Sequence, residues 1–326
     1  MSRSAAVVAV VAAVLSGAGT VVAHGHAQAA RKPEPKCFGA ADRDPLNPCD
    51  NPRLRLTVTP TLEQAQVTPN IACVREEVDA VVEGCSVGLP ADQAVETVAI
   101  IGDSHAAHWR ATMASMAKAK RWRVIELGTP HCPFSQATPD SGAYVAQHCP
   151  DWNRRILAWL PKHPEIRTVF FSANARAPII VPNGQSAYDW RVNGYVREWQ
   201  LLPSTVQRII VIRDTPVDRI RTPDCIRAAL KARKPPGATC KVPRKGSLPP
   251  DAEVSAAKIE AARGAQVVDL TPFFCARVSC FPVVGGVLVH KDMDHLGQLF
   301  ARTLGPYLVR AVDALHWPTA APAPPT

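Results

Sequence analysis

From residue 96 onward, short apolar runs rich in β-branched residues alternate with amphipathic stretches. Thr97-Val98-Ala99-Ile100-Ile101 is a continuous apolar run closed by Gly102-Asp103-Ser104, the pattern of a strand buried on both faces and ended by a turn. Residues 123–127, 168–172, 208–212 and 266–270 repeat that character. The spacing between them predicts helices over 105–119, 152–160, 188–201, 251–263 and 296–314. Trp109, Met113 and Met116 fall at helical spacing and, with Trp152, Trp159 and Trp190, are expected to serve the core. Strands alternating with helices predict an α/β fold whose central parallel sheet is covered on both faces. Ligands of such sheets sit beyond the carboxyl ends of the strands, near a switch in strand order. Ser104 follows the first of these strands and Asn174 the third.

The flanks read differently. Arg3, an apolar run over 5–22 and the small residues Ala27-Gln28-Ala29 have the form of an export signal. If uncleaved, the same segment would be a membrane anchor, although Ser16-Gly17-Ala18-Gly19 interrupts it. Residues 30–95 carry four cysteines, many prolines and little periodicity, and predict a stapled N-terminal extension. The expected division is therefore a leader over 1–29, an extension over 30–95, a main domain over 96–316 and a loose Pro/Ala tail over 317–326.

Ten cysteines in an exported chain favour disulfides over metal binding, and no CxxC pair or zinc-finger spacing is present. Pairing of consecutive cysteines (37–49, 73–85, 132–149, 225–240, 275–280) is the simplest arrangement, because every loop is short. The formal net charge is +9, and between Arg219 and Lys245 nine Lys or Arg stand against one acid, Asp224. Segment 219–245 reads either as a solvated loop or as a contact for anionic envelope components. Nucleic acid is not an expected partner of an exported chain without a nucleic-acid-binding motif.

Candidate chemistry lies at the two ends of the main domain. A serine becomes a nucleophile only when a base takes its proton and an acid holds that base in the right tautomer. Ile101-Gly102-Asp103-Ser104-His105 places a hydroxyl on a tight turn at a strand end. Gly102 permits close packing there, and Asp103 can brace the turn. The N-terminus of the next helix offers backbone N–H groups to a developing oxyanion. Near the other end, Lys291-Asp292-Met293-Asp294-His295-Leu296 sets a carboxylate three residues before a histidine. That spacing lets Asp292 reach the far ring nitrogen, whereas Asp294 is expected to point elsewhere. His105 and His108 share a helical face without a third ligand in view, and packing beside the turn is the expected role, with no metal. Arg176 is expected to form a surface ion pair; substrate orientation is its sharper alternative.

The strand-GDSH turn and the DxxHL element resemble the SGNH hydrolase superfamily. The chain is most similar to the extracytoplasmic SGNH domain associated with acyltransferase-3 membrane proteins. His131-Cys132-Pro133, Ile212-Arg213-Asp214-Thr215-Pro216, Val268-Asp269-Leu270 and Gly285-Gly286-Val287-Leu288-Val289 add to the likeness, which spans about 35–310. The resemblance implies an SGNH/flavodoxin-like three-layer sandwich with Ser104 as nucleophile, His295 as base and Asp292 orienting it. It implies no cofactor. Gly128 and Asn174, with the Ser104 amide, are the candidate oxyanion donors, although Asn174 sits outside a clean GxND block.

Two functions remain open on the sequence. One is an exported serine esterase or O-acyltransferase acting on acyl esters, acetyl above all, of cell-envelope glycans; for transfer, a separate membrane acyltransferase would supply the acyl group. The other is a non-catalytic module of the same fold that binds envelope glycans or lipids.

Overall fold

A computed structural model describes residues 33–79 and 82–317; the expected leader and the chain beyond Trp317 lie outside the described residues. The N-terminal part contributes α1 (Leu62–Val67), β1 (Val74–Glu77) and β2 (Glu83–Gly88). Next come β3 (Glu96–Gly102), α2 (Ser104–Ala107), α3 (Arg110–Lys120), β4 (Trp122–Gly128), α4 (Ala143–Trp159), β5 (Ile166–Ser172), α5 (Ala187–Trp199) and β6 (Arg208–Ile212). The basic segment then forms α6 (Thr222–Lys231), α7 (Pro236–Thr239), the two-residue β7 (Val242–Pro243) and the kinked turn α8 (Arg244–Ser247). The remainder holds α9 (Ala252–Ile259), β8 (Ala265–Val268), the short strands β9 (Ser279–Cys280), β10 (Val283–Val284) and β11 (Val287–Leu288), and finally α10 (Gln298–Thr303) and α11 (Gly305–Asp313).

Five strands run parallel in the order β4-β3-β5-β6-β8. The chain moves from β3 to one neighbour, β4, and then returns to the other side of β3 as β5. The switch point therefore lies between β3 and β5, where such folds place their ligands. Alternate residues of each strand feed opposite layers. Val98, Ile100, Phe170, Ile210 and Val268 pack with Trp109, Met113, Met116, Phe300 and Leu308 on one face. Ala99, Ile101, Phe171, Ile209 and Val211 pack with Trp152, Ile156 and Trp199 on the other. Phe170 and Phe171 are both fully buried, and each contributes about 1.5–3 kcal/mol of burial. The result is the expected three-layer α/β sandwich.

Several expectations need correction. The sheet is mixed: β2 pairs antiparallel with β4 and β1 antiparallel with β2, giving seven strands. The extension thus supplies regular structure that its weak periodicity hid. The helix expected over 105–119 is broken at His108–Trp109, and the last helix is split at Leu304, where Gly305-Pro306 begins a new N-terminus. α4 starts well before residue 152 and contains Pro150. α9 ends at Ile259, and a 3-10 turn completes the stretch to Arg263. Trp190 is only half-buried and carries the Arg197 guanidinium over its ring at 4.7 Å, so it is not a core residue.

All five disulfides join consecutive cysteines, as their spacing suggested. The extension is also tied to the far end of the chain. Arg310 donates to both oxygens of buried Asp44, at 2.9 and 2.6 Å, and holds that carboxyl well below the usual range. Gly39 N–H donates to the Gly285 carbonyl and Thr59 N–H to that of Gly286. A Cβ on Gly285 would lie 2.5 Å from the Cys37 carbonyl oxygen, so the glycine pair admits the close approach of the extension. No helix among the described residues is long and apolar enough to cross a membrane.

Candidate active site

The β3 exit is built so that Ser104 is presented and held. A Cβ on Gly102 would lie 2.1 Å from the Ser172 carbonyl oxygen, so only glycine lets β3 and β5 end side by side. Asp103 caps the short α2: its Oδ1 accepts from His105 N–H at 2.7 Å and its Oδ2 from Asn174 N–H at 3.0 Å. The bracing expected of Asp103 therefore reaches across the switch point. Ser104 follows as the first residue of α2.

His295 arrives on the loop before α10. Its Nε2 is 2.9 Å from Ser104 Oγ. Its Nδ1 is 2.9 Å from Asp292 Oδ2, and Asp292 Oδ1 also accepts the His295 backbone N–H at 2.8 Å. One carboxylate thus fixes both the loop and the ring. Ser104, His295 and Asp292, though up to 191 positions apart in sequence, form one chain of contacts.

Asp294, expected from its adjacency to point elsewhere, does not do so. Its Oδ1 lies 3.2 Å from the same Nδ1, and its Oδ2 accepts from Asn174 Nδ2 at 3.3 Å and lies 3.8 Å from His105 Nε2. Hydrogen bonding to Asp292, then to Asp294, outweighs burial and pushes the His295 pKa up to about 9. The neighbouring imidazolium groups hold Asp294 far below the ordinary carboxylate range.

Beneath this lies a buried set of polar groups. Burial opposes charge on His105, but Asp214, at 2.6 Å from Nδ1, outweighs it and raises the pKa well above the ordinary value. Asp214 Oδ2 accepts from Ala175 N–H at 2.8 Å, and Asp214 N–H donates to Asp251, the cap of α9. Burial pushes the Asp251 carboxyl up to about 6. His108 is buried, and neither ring nitrogen has a hydrogen-bond partner among the described residues. Burial lowers its pKa well below the ordinary value, so it packs as neutral imidazole against Trp109 and His105.

Asp214 is the residue that sequence reasoning missed, although the Ile212-Arg213-Asp214-Thr215-Pro216 run contained it. It gives His105 and His108 the third ligand-type neighbour that the sequence did not reveal, and a second such group joins His105, Asp294 and His295. The 2.6 Å contact between His105 and Asp214 has the length of a strong hydrogen bond. It is shorter than the separation of two atoms sharing one metal ion, roughly 3.3 Å for bonds near 2 Å in tetrahedral geometry. As arranged, the pair carries a proton.

The remaining expected residues fall nearby. Gly128 ends β4 directly beside Gly102. Asn174 accepts Arg176 N–H on Oδ1 at 2.8 Å while its Nδ2 is given to Asp294. Arg176 makes no ion pair among the described residues; its guanidinium donates to the Gly246 carbonyl instead. The site is open: the side chains of His295 and Asp292 are 27% and 46% exposed. A cavity of about 180 Å³, walled by Leu62, Ile226, Leu288 and Met293 and rimmed by Arg219 and Lys291, adjoins Asp292.

Residues 72–310 match the family described as the SGNH domain (fused to AT3 domains). The chain belongs to this SGNH family. None of the curated protein sequences matches it. Among solved structures, this SGNH chain is similar to the periplasmic domain of the Salmonella ser. Paratyphi A lipopolysaccharide acetyltransferase. The two share 14% identity and a TM-score of 0.48, over 68% of this chain and 90% of that one.

Proposed function

We propose that the protein is an exported SGNH-type serine esterase or O-acyltransferase acting on acyl esters of cell-envelope glycans, with acetyl the expected group. One observation carries the reading: Ser104 Oγ sits 2.9 Å from His295 Nε2, while Asp292 holds Nδ1. Neutral His295 takes the Ser104 proton as Oγ attacks the ester carbonyl, and the imidazolium so formed is stabilised by Asp292. Collapse of the tetrahedral intermediate expels the alcohol, which takes the proton from His295, and leaves an acyl-serine. Water then yields an esterase, and a sugar hydroxyl yields a transferase.

The amides of Ser104 and Gly128 and the side chain of Asn174 are the proposed oxyanion donors. Asn174 Nδ2 must leave Asp294 to serve. The open triad suits a sugar carried on a large polymer. In the transfer variant, a separate membrane acyltransferase supplies the acyl group. Export by a cleaved leader over 1–29, an extension over 30–95 and a catalytic domain over 96–316 complete the proposal.

A fluorophosphonate probe should label the wild-type protein and fail on Ser104→Ala and His295→Ala. Equal labelling of wild type and Ser104→Ala would end the assignment. A second reading, a non-catalytic module binding envelope glycans or lipids, is favoured by the engagement of Asn174 Nδ2 with Asp294. It predicts glycan binding with no labelling and no ester turnover.

A further inference from the structure

The charge of this protein is concentrated on one lobe. Nine Lys or Arg and a single acid lie between Arg219 and Lys245, nearly the whole of the formal net charge of +9. Arg227 spends its charge on Asp224 and Glu63, and Arg244 donates to the Ala276 carbonyl. Lys231, Arg233, Lys234, Lys241 and Lys245 are exposed and make no ion pair among the described residues. A cationic surface left without internal partners is available to an external anion.

The lobe is cross-linked and braced at its base, and it stands on the rim of the site. Its two feet are joined: Val217 N–H donates to the Ser247 carbonyl at 2.8 Å, and the Ser247 hydroxyl donates to the Val217 carbonyl. Next to the first foot, Asp218 N–H donates to the carbonyl of Met293, between Asp292 and Asp294. Next to the second, the Gly246 carbonyl receives Arg176, two residues beyond Asn174. Cys225–Cys240 links α6 to the end of α7, so the lobe does not have to order its backbone when it binds. Arg219 and Lys291 continue the positive surface to the cavity beside Asp292.

We propose that this lobe is the docking surface for an acidic polysaccharide, whose acylated sugars it delivers to Ser104. The inference rests on the reading of Ser104 as nucleophile and names the charge class of its substrate. An anionic membrane offers similar charges, but residues 219–245 contain none of the interfacial aromatics Trp, Tyr and Phe, and their exposed large apolar side chains are only Ile220 and Leu230. Attachment beside Asp292 on one side and beside Asn174 on the other also fits a ligand that must continue into the site.

The test uses the full chain, polygalacturonate and dextran as acidic and neutral probes, and nitrophenyl acetate as an uncharged small ester. The wild type should bind polygalacturonate and not dextran, with binding weakened by added salt. The triple variant Lys231→Glu, Lys234→Glu, Lys241→Glu should lose at least about tenfold in that affinity. The matching Gln variant should fall between the two. Both should keep wild-type turnover of nitrophenyl acetate and, on acetylated polygalacturonate, raise KM with kcat retained.

Equal polygalacturonate binding by wild type and both variants would overturn the proposal. Lobe-dependent binding to phosphatidylglycerol vesicles without polygalacturonate binding would also overturn it, in favour of a membrane. Failure of the catalytic reading is separately visible: the wild type would not turn over nitrophenyl acetate, whatever its binding.

Discussion

Asp294 faces the same ring nitrogen of His295 that Asp292 holds, at 3.2 Å from Nδ1. Two carboxylates on one imidazole stabilise its protonated form, and a protonated His295 cannot accept the Ser104 proton. Charged His105, 3.8 Å from the other oxygen of Asp294, works against that excess. The charged and titratable groups around the two rings are Asp103, Asp214, Asp292, Asp294 and His108, and the last is held neutral by burial.

The pH profile should register this balance. The proposed mechanism needs neutral His295, so it expects kcat/KM for nitrophenyl acetate to rise with pH through the His295 pKa, about 9. Asp294→Asn removes a negative charge and should move that rise to lower pH. His105→Gln removes a positive charge and should move it to higher pH. Shifts in one common direction, or none, would show that the two residues do not tune the base.

The two aspartates should separate in rate. Asp292→Asn removes the acceptor that fixes the His295 tautomer and should lower kcat on the order of 10³–10⁴-fold. Asp294→Asn, measured on its own pH plateau, should stay within about tenfold of the wild type. Comparable losses in both would mean that Asp294 shares the orienting role.

Gly102→Ala should damage the fold as well as the site. Its Cβ would stand 2.1 Å from the Ser172 carbonyl oxygen, and that oxygen belongs to a rigid strand end. A loss of more than about 2 kcal/mol in urea unfolding is expected, with probe labelling of Ser104 reduced in the protein that remains folded.

Opening Cys225–Cys240 by the double change Cys225→Ser, Cys240→Ser should destabilise by about 3 kcal/mol for a loop of 15 residues. Thermal unfolding followed by circular dichroism reads this directly. An unchanged Tm would mean that the lobe is held by its packing alone.

The fold and the residues of the candidate site were legible for different reasons. β3, β5 and β6 declare themselves because strands buried on both faces must be apolar without interruption. Ser104, at the start of α2, and Asp292 and His295, on the loop before α10, stand in short local patterns where side-chain type is not dictated by burial. β1 and β2 were hidden because Val74-Arg75-Glu76-Glu77 and Glu83-Gly84-Cys85-Ser86 are short, polar and partly solvated. α4 was shortened because Pro150 disfavours a helix interior, and packing of Trp152, Ile156 and Trp159 overrides that preference. The roles of Asp214 and Asp294 depend on contacts made across 109 positions in one case and on side-chain direction in the other. Local spacing carries neither.

The antiparallel pairing of β2 with β4 has a consequence for handling the protein. β4 would otherwise present an open row of backbone donors and acceptors, and such an edge recruits strands from other molecules. The hairpin of β1 and β2, clasped by Cys73–Cys85, occupies it. A chain trimmed to begin at Glu96 would keep the Ser104 turn and the His295 loop yet expose that edge. It should be prone to self-association, and the extension acts as a built-in guard against aggregation.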